Sequence, residues 1–353
     1  MSEHADLSRE LSERVADAAA REAPLAIRGG GTKAFLGERS EGEALDVTGH
    51  RGIASYEPGE LVLTARAGTP LTEIEAALDD AGQMLPFEPP HHGANATLGG
   101  TIAAGVSGPG RPFFGAARDL VLGTRIVNGR GEDLRFGGEV MKNVAGYDLS
   151  RLMAGAHGTL GVLLEISLKV LPAPRARATR VFEHDAATAI EQINAWQRKP
   201  WPITAAYWED GHTYLRLAGA QSSVDSAIRA LGGEALADDG AFWQSVREQT
   251  REFFEGDDPL WRLSVAPATP MMDLEGPTAL DWAGAQRWLR SAAPAETVRA
   301  AVSSHGGHAS IHRGDASPRF HPLPKALMAL HRRVKQSVDP AGILNRGRLY
   351  PDF

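Results

Sequence analysis

From Pro86 to Gly115 the chain reads PFEPPHHGANATLGGTIAAGVSGPGRPFFG, mostly glycine, proline, alanine and small polar residues. Such a stretch has too few bulky apolar side chains to build a core and is too long for an ordinary connection. Inside a compact chain, segments of this kind are functional or disordered, and the periodic sequence on either side argues for function. We read it as a ligand-embracing segment. Two more glycine-rich turns lie nearby, Gly29-Gly30-Gly31-Thr32-Lys33 and Gly155-Ala156-His157-Gly158-Thr159-Leu160-Gly161-Val162. The chain holds 39 glycines, about 11% against a usual ~7%, and the excess is concentrated before residue 165. Glycine lets main chain turn sharply or approach a ligand closely, so the first half reads as a binding surface made of backbone.

Composition removes several function classes. A length of 353 residues suits two or three domains, and 42% hydrophobic with 23% charged residues is ordinary for a globular protein. The net charge of −7 with no basic block argues against nucleic-acid binding. With no cysteine, disulfides, thiolate nucleophiles and protein-ligated iron–sulfur clusters are excluded from this chain. No apolar run approaches the ~20 residues of a membrane span, and the longest, Gly161 to Leu171, is interrupted by Glu165 and Lys169. The start, MSEHADLSRE, is charged where a signal peptide is apolar. A cytoplasmic location is expected, with any contact at the inner membrane peripheral and made through partners.

Periodicity places the elements. Leu7, Leu11, Val15 and Ala19 predict a helix within 6–23, and Pro24 to Arg28 a strand that ends in the glycine turn. A strand from Leu61 to Ala67 leads to Thr69 as helix cap and Pro70 as first helical residue; Leu71, Ile74 and Leu78 form the buried face, and Gly82 ends the helix. Strands follow at Leu120 to Val127 and Gly161 to Val170, and Leu171-Pro172-Ala173-Pro174 marks a domain exit. Beyond it come a strand at Thr179 to Phe182, a helix with Ile190, Ile193 and Trp196, a hairpin around Glu209-Asp210-Gly211, and a helix with Val224, Ile228 and Leu231. This β-α-β-β-α order is ferredoxin-like. A strand at Trp261 to Val265, a helix at Ala295 to Ser304 and a strand at Ala309 to His312 extend the sheet, and a last helix runs from Pro324 to Ser337.

Gly29 to Lys33 forms either a tight turn or a nest whose consecutive N–H groups take phosphate oxygens, with Arg28 and Lys33 to balance charge. It is neither a GxxxxGK[ST] P-loop nor a GxGxxG fingerprint. Thr97-Leu98-Gly99-Gly100-Thr101 with Gly105, Ser107, Gly108 and Gly110 offers a second backbone surface, and the turn at 155–162 a third. Hydroxyls of Thr97, Ser107 and Thr159 add hydrogen-bonding groups. Together they suit a long, flat diphosphate ligand.

The order PLAIRGGGTK, ATLGGTIAAG, VMKNVAGYDLSRLMAGAHGTLGV and SVDPAGILNRGRLYPDF resembles the FAD-binding oxidoreductases of the vanillyl-alcohol oxidase type. Within them, LPFEPPHHGANATLGGTIAAGVSGPGRPFFGAARDLVLG, MKNVAGYD and DPAGILNRGRLYPDF resemble the FAD-binding subunits of bacterial glycolate oxidases. The resemblance implies an α+β fold: a two-subdomain PCMH-type FAD-binding domain at 1–174, a ferredoxin-like cap for substrate or partner at 175–315, and a C-terminal segment at 316–353 that returns to the FAD domain. It further implies that Arg28, Gly29, Gly30, Gly31, Thr32 and Lys33 hold the FAD pyrophosphate, and that Thr97, Leu98, Gly99, Gly100, Gly105 and Ser107 line the diphosphate and flavin. Gly158, Thr159, Gly161 and Val162 would lie along the ribityl and adenine side, with Asn345 approaching the isoalloxazine. FAD would be noncovalent, because GGGTK stands where covalent members carry the attaching histidine or cysteine. Two positions depart from the family pattern: Asn345-Arg346-Gly347-Arg348 replaces NPGR, and Pro89-Pro90-His91-His92 stands where Asp-Pro is usual.

The implied chemistry is oxidation of a small 2-hydroxy acid, glycolate or D-lactate, to the 2-oxo acid. In this family a second FAD-binding subunit and an iron–sulfur subunit are partners, and the electrons pass to the latter. His91 and His92 are candidate bases and Arg348 a candidate carboxylate clamp, with Arg111 and Arg118 as further cations, although loop histidines and surface arginines commonly have no such role. The alternative is a structural or electron-relay subunit without its own substrate site. His305, His308 and His312 lack the carboxylate-containing motif of related metal-using dehydrogenases, so no metal is expected. Met141-Lys142-Asn143 and Tyr147-Asp148 are polar enough to be functional, with Asp148 also placed to cap a helix from Leu149. The tryptophans, all beyond residue 190, suit packing rather than redox relay.

Overall fold

Every fourth residue or so of the first helix is apolar, and in the computed structural model Ser8–Ala20 turns Leu11, Val15 and Ala18 inward against Leu25, Leu45, Val162 and Leu344. The structure describes residues 5–138, 148–315, 317–351 and 353. Met141, Lys142, Asn143 and Tyr147 lie outside them. By which residues pack together, the chain forms two units, one of residues 1–106, 116–173 and 322–353, the other of 107–115 and 174–321. The sequence reading kept 107–115 with the first domain. The structure groups them with the second unit because the Trp282 indole Nε1 donates to the Gly108 carbonyl at 2.9 Å and the Arg111 guanidinium stacks on the same ring.

In the first unit, strands Leu25–Arg28 and Glu43–Asp46 pair in parallel. A five-stranded antiparallel sheet runs in the order Ile53–Glu57, Val62–Arg66, Val162–Lys169, Val121–Val127, Asp133–Gly137. Its core is Leu63, Ala65, Ile126, Ile166 and Leu168 packed on Leu71, Ile74 and Leu78 of helix Leu71–Asp80. Each such leucine or isoleucine contributes about 1.5–3 kcal/mol on burial. Thr69 does not cap that helix. It is fully buried, and its hydroxyl takes the Gly52 N–H and gives its proton to the Gly52 carbonyl, while the Leu71 N–H finds the Ala96 carbonyl at 2.9 Å. Pro86 to Gly115 is not one loop either: Leu98–Ala104 is a helix with Thr97 as cap, accepting from Gly100 N at 3.3 Å, and Arg111–Phe114 forms another turn. Asp148 caps Leu149–Met153 through Arg151 N.

The second unit is one eight-stranded sheet. Its first half lies in the order Glu234–Ala235, Ala176–Glu183, His212–Gly219, Ile203–Glu209, the fourth, first, third and second strands of a β-α-β-β-α-β chain. That is the ferredoxin-like arrangement. Asp210 and Gly211, at φ 47° and 75°, make the two-residue turn whose twist suits a hairpin. The sheet continues Thr278–Asp281, Gln286–Arg290, Leu260–Ser264, His308–Arg313, the mirror of the first half's order. A helix, Ala295–Ser303, joins its third and fourth strands, while 266–277 joins its first and second without one. The halves meet where Trp208 pairs with Leu280. The tryptophans pack as expected, Trp196 on Ile193 and Leu217, Trp243 and Trp288 on Phe254, and Trp261 on Val298.

Candidate cofactor site

Strand Leu25–Arg28 delivers the chain into the glycine turn, and the turn is shaped by contact with the segment before the helix at Leu98. A Cβ on Gly30 would stand 1.5 Å from the Asn95 carbonyl oxygen, and one on Gly29 would stand 2.6 Å from Thr97 Oγ1. Gly31 has φ 74° with nothing within 4 Å of the position its Cβ would take, so its side toward solvent is open. Among the described residues, the backbone N–H groups of Gly29, Gly30, Gly31 and Thr32 have no acceptor. Four successive N–H groups in a half-exposed turn form an anion cradle. Lys33 is buried beside it, its Nζ 3.1 Å from the His91 carbonyl and 3.4 Å from Thr32 Oγ1, while Arg28 is exposed.

The other motifs converge on the same strand. Asn345 donates from Nδ2 to the His157 carbonyl at 2.6 Å and accepts the Ile27 N–H on Oδ1 at 2.7 Å; its own N–H reaches the Leu25 carbonyl at 3.0 Å. A Cβ on Gly158 would lie 2.6 Å from Asn345 Nδ2. Helix Leu98–Ala104 is tied to this turn as well, since Gly155 N donates to the Ile102 carbonyl and His157 N to the Ala103 carbonyl. Gly105 then packs against Gly155. Three distant stretches of chain and the tail are therefore fixed to one another by main-chain bonds, the Asn345 amide and the close approach of Gly30 to Asn95. Desolvation first, and the Arg348 charge second, hold the His157 pKa down at about 3, so its imidazole is neutral.

Several of the expected residues are already engaged within the fold. Leu98 and Val162 are core residues, Leu98 against Leu71 and Val162 against Leu11 and Val15, and a Cβ on Gly161 would press on Ile126. The Thr159 hydroxyl is used on the Ala156 carbonyl at 2.6 Å. Gly99 packs on Ala67 and Gly100 beside Thr97. Both ends of the Asn345 amide are taken by backbone, so it clamps the strand to the turn. Ser107 falls in the second unit. His91 Nε2 lies 3.0 Å from Glu75 Oε1, His92 stands edge-on to Phe35 with centroids 5.2 Å apart, and Arg348 holds the Glu38 and Ala34 carbonyls at 2.6 and 3.1 Å. These two pairings give His91 and Arg348 structural work. Of the other histidines, His305 bonds the Ala301 carbonyl and His312 packs on Trp288 while bonding Gln249. Among the described residues no cluster of three or more His, Asp or Glu is placed to hold a metal.

Sequence reading missed Lys335 and Asp339. The Lys335 ammonium, buried, touches Asp339 Oδ2 at 2.7 Å and the Thr159 and Leu344 carbonyls at 2.7 and 2.8 Å, and Asp339 accepts the N–H groups of Ile343 and Leu344. An i,i+4 Lys–Asp pair ahead of the tail was the available signal.

Residues 5–137 match the FAD binding domain family. The chain is 50% identical over 349 residues, 99% of each chain, to the glycolate oxidase subunit GlcE of Escherichia coli (strain K12). It belongs to the FAD-binding glycolate oxidase subunit family. The glycolate oxidase subunit GlcD of Bacillus subtilis (strain 168) is 31% identical over 48% of this chain and 36% of its own length. In fold, p-cresol methylhydroxylase superposes with a TM-score of 0.72 at 16% identity, covering 99% of this chain and 88% of that one. This family member is an FAD-dependent oxidoreductase, and its cradle fits the cofactor: unspent N–H groups for a pyrophosphate, and a turn in which Gly30 leaves no space for a side chain. No helix among the described residues is long and apolar enough to cross a membrane.

Proposed function

We propose that the chain is the FAD-binding subunit of a complex that oxidises glycolate, or a similar small 2-hydroxy acid such as D-lactate, to the 2-oxo acid. The observation that carries this is half-identity to a glycolate oxidase subunit along essentially the whole of both chains. Gly29 to Thr32 would hold the pyrophosphate on their N–H groups, Lys33 would fix the adjoining 91–92 loop, and Asn345 would keep the 157–158 turn in place. FAD, when bound noncovalently there, supplies the two-electron acceptor for the oxidation. With no cysteine for cluster ligation, this chain would pass electrons on, to a partner iron–sulfur subunit, with a second FAD-binding subunit completing the complex.

One observation favours a second reading, a relay subunit whose substrate chemistry belongs to its partner. His91 is committed to Glu75 and Arg348 to two carbonyls, which weakens both as base and clamp. The purified chain, given glycolate or D-lactate without oxygen, separates the readings. Bleaching of the 450-nm flavin band is expected if the substrate site lies here; flavin that stays oxidised moves the chemistry to the partner.

A further inference from the structure

The second unit spends most of its buried arginines on carbonyl groups. Arg287 bonds those of Thr269 and Pro270, Arg290 those of Phe253, Phe254, Gly256 and Asp258, Arg299 those of Pro318 and Phe320, and Arg216 that of Thr204. Arg262 is different. Its Nε donates to Gln286 Oε1 at 2.6 Å and its guanidinium stands 4.8 Å from the centre of the Trp282 ring. Its two terminal nitrogens meet no acceptor among the described residues, and no carboxylate is within ion-pair distance.

A second arginine stands beside it, with two histidines whose pKa values burial holds down. The Arg111 guanidinium lies 4.2 Å from the same indole, and the His308 and His321 rings lie 6.3 Å apart. Desolvation, then the charge of Arg111, depress the Arg262 pKa to about 10; desolvation, then Arg262 and His321, depress that of His308. Asp281, whose charge acts on Arg262 in the opposite sense, accepts from Trp282 N at 2.7 Å and Gln286 Nε2 at 3.1 Å. Trp282 and Ala283 sit in the left-handed region at φ 50° and 56°, a strained backbone of the kind kept where surrounding structure demands it. The turn holds the indole as a plate, with Nε1 tied to Gly108.

A partly desolvated guanidinium fork with two unspent nitrogens, set on an aromatic plate beside a second arginine, matches a planar two-oxygen anion. We propose that Arg262, with Gln286, Trp282 and Arg111, forms a binding site in the second unit for the carboxylate of a small organic acid. Arg262 takes both carboxylate oxygens, Gln286 fixes the direction of its fork, and Arg111 adds attraction. The inference goes beyond the proposed function and shares with it only the choice of glycolate as probe.

Calorimetric titration of the full FAD-loaded chain tests it, with glycolate, neutral glycolamide and inorganic phosphate as probes. Wild type is expected to bind glycolate and not glycolamide, R262Q to bind at least tenfold more weakly, and R262K, which keeps the charge but loses the fork, to fall between. Flavin content should be unchanged in both variants, and the melting temperature of R262Q equal or higher, because a desolvated cation without a carboxylate has been removed. Glycolate binding undiminished in R262Q, no binding by wild type, or phosphate binding that glycolate does not displace each overturns the inference. Flavin bleaching separates the two claims: bleaching by glycolate, with calorimetric binding that does not depend on Arg262, removes this site and leaves the proposed function standing, whereas Arg262-dependent binding without bleaching does the reverse.

Discussion

Gly30 has no room for a side chain. A methyl group there would stand 1.5 Å from the Asn95 carbonyl oxygen, so Gly30→Ala has to push the glycine turn away from the segment that leads into helix Leu98–Ala104. Gly31→Ala meets nothing within 4 Å but keeps φ 74°, which costs an L-residue about 1–2 kcal/mol. Gly30→Ala should therefore lose most of its bound flavin, while Gly31→Ala should retain flavin with a modestly lower melting temperature. The ratio of flavin to protein absorbance in the purified variants, with a thermal melt, checks both; equal flavin content in Gly30→Ala and wild type would contradict the placement of the turn. At this scale the sequence was informative about position and less so about role. Gly30 lies against Asn95 and Gly158 against Asn345, close approaches of the kind that a missing Cβ makes visible in a sequence. Asn345, Thr159 and Val162 were assigned to the cofactor, yet their side chains serve the amide clamp, the Ala156 carbonyl and the core. Residue type alone does not say which partner a polar group finds first.

Elements with a clean period were legible: helix Ser8–Ala20, helix Leu71–Asp80, and the Asp210-Gly211 hairpin with its flanking strands. Three were not. Helix Leu98–Ala104 is written LGGTIAA, where two glycines lower intrinsic helix propensity by about 1 kcal/mol each; close packing of Gly99 on Ala67 is what favours it there. Strand Gln286–Arg290 is buried at every position although it carries two arginines, since both guanidiniums are satisfied by carbonyls, and its partner Thr278–Asp281 is too short to show alternation. The last helix, Lys325–Val338, was legible as a helix, but its attachment was not: Lys335 is its one buried residue. Lys335→Met removes the cation facing Asp339 and the donor to Thr159 and Leu344, and breaking a buried pair of this kind costs about 3–5 kcal/mol. Because Asp339 keeps the N–H groups of Ile343 and Leu344, the lower end is expected. Chemical denaturation should show that loss together with weaker flavin retention, as Asn345 follows directly in the tail. A destabilised variant with full flavin would mean that the tail helix and the cradle are independent.

The chain order of the cofactor motifs determines how the molecule as a whole responds to its ligand. Gly29 to Thr32, the Asn95–Gly105 stretch, the 157–158 turn and Asn345 come from far-apart segments, and the residues between them include 107–115 and 174–321, which form the second unit with its own sheet and cores. Its two halves, joined at Trp208 and Leu280, are held by their own sheet ladders. The cradle differs, for its four N–H groups have no acceptor among the described residues. FAD that binds the folded first unit and not the unfolded chain stabilises that unit by RT ln(1 + [L]/Kd), about 2.7 kcal/mol at a hundredfold excess over Kd. Differential scanning calorimetry of the flavin-free chain with rising FAD is therefore expected to show a transition that climbs with ligand concentration, and hydrogen exchange should report added protection at 25–33, 96–105 and 157–162. The strands of 203–219 and 260–290 should exchange as before. Protection that rose equally in both sets would mean that flavin binding is coupled to the whole chain, and the assignment of the cofactor to the first unit alone would then fail.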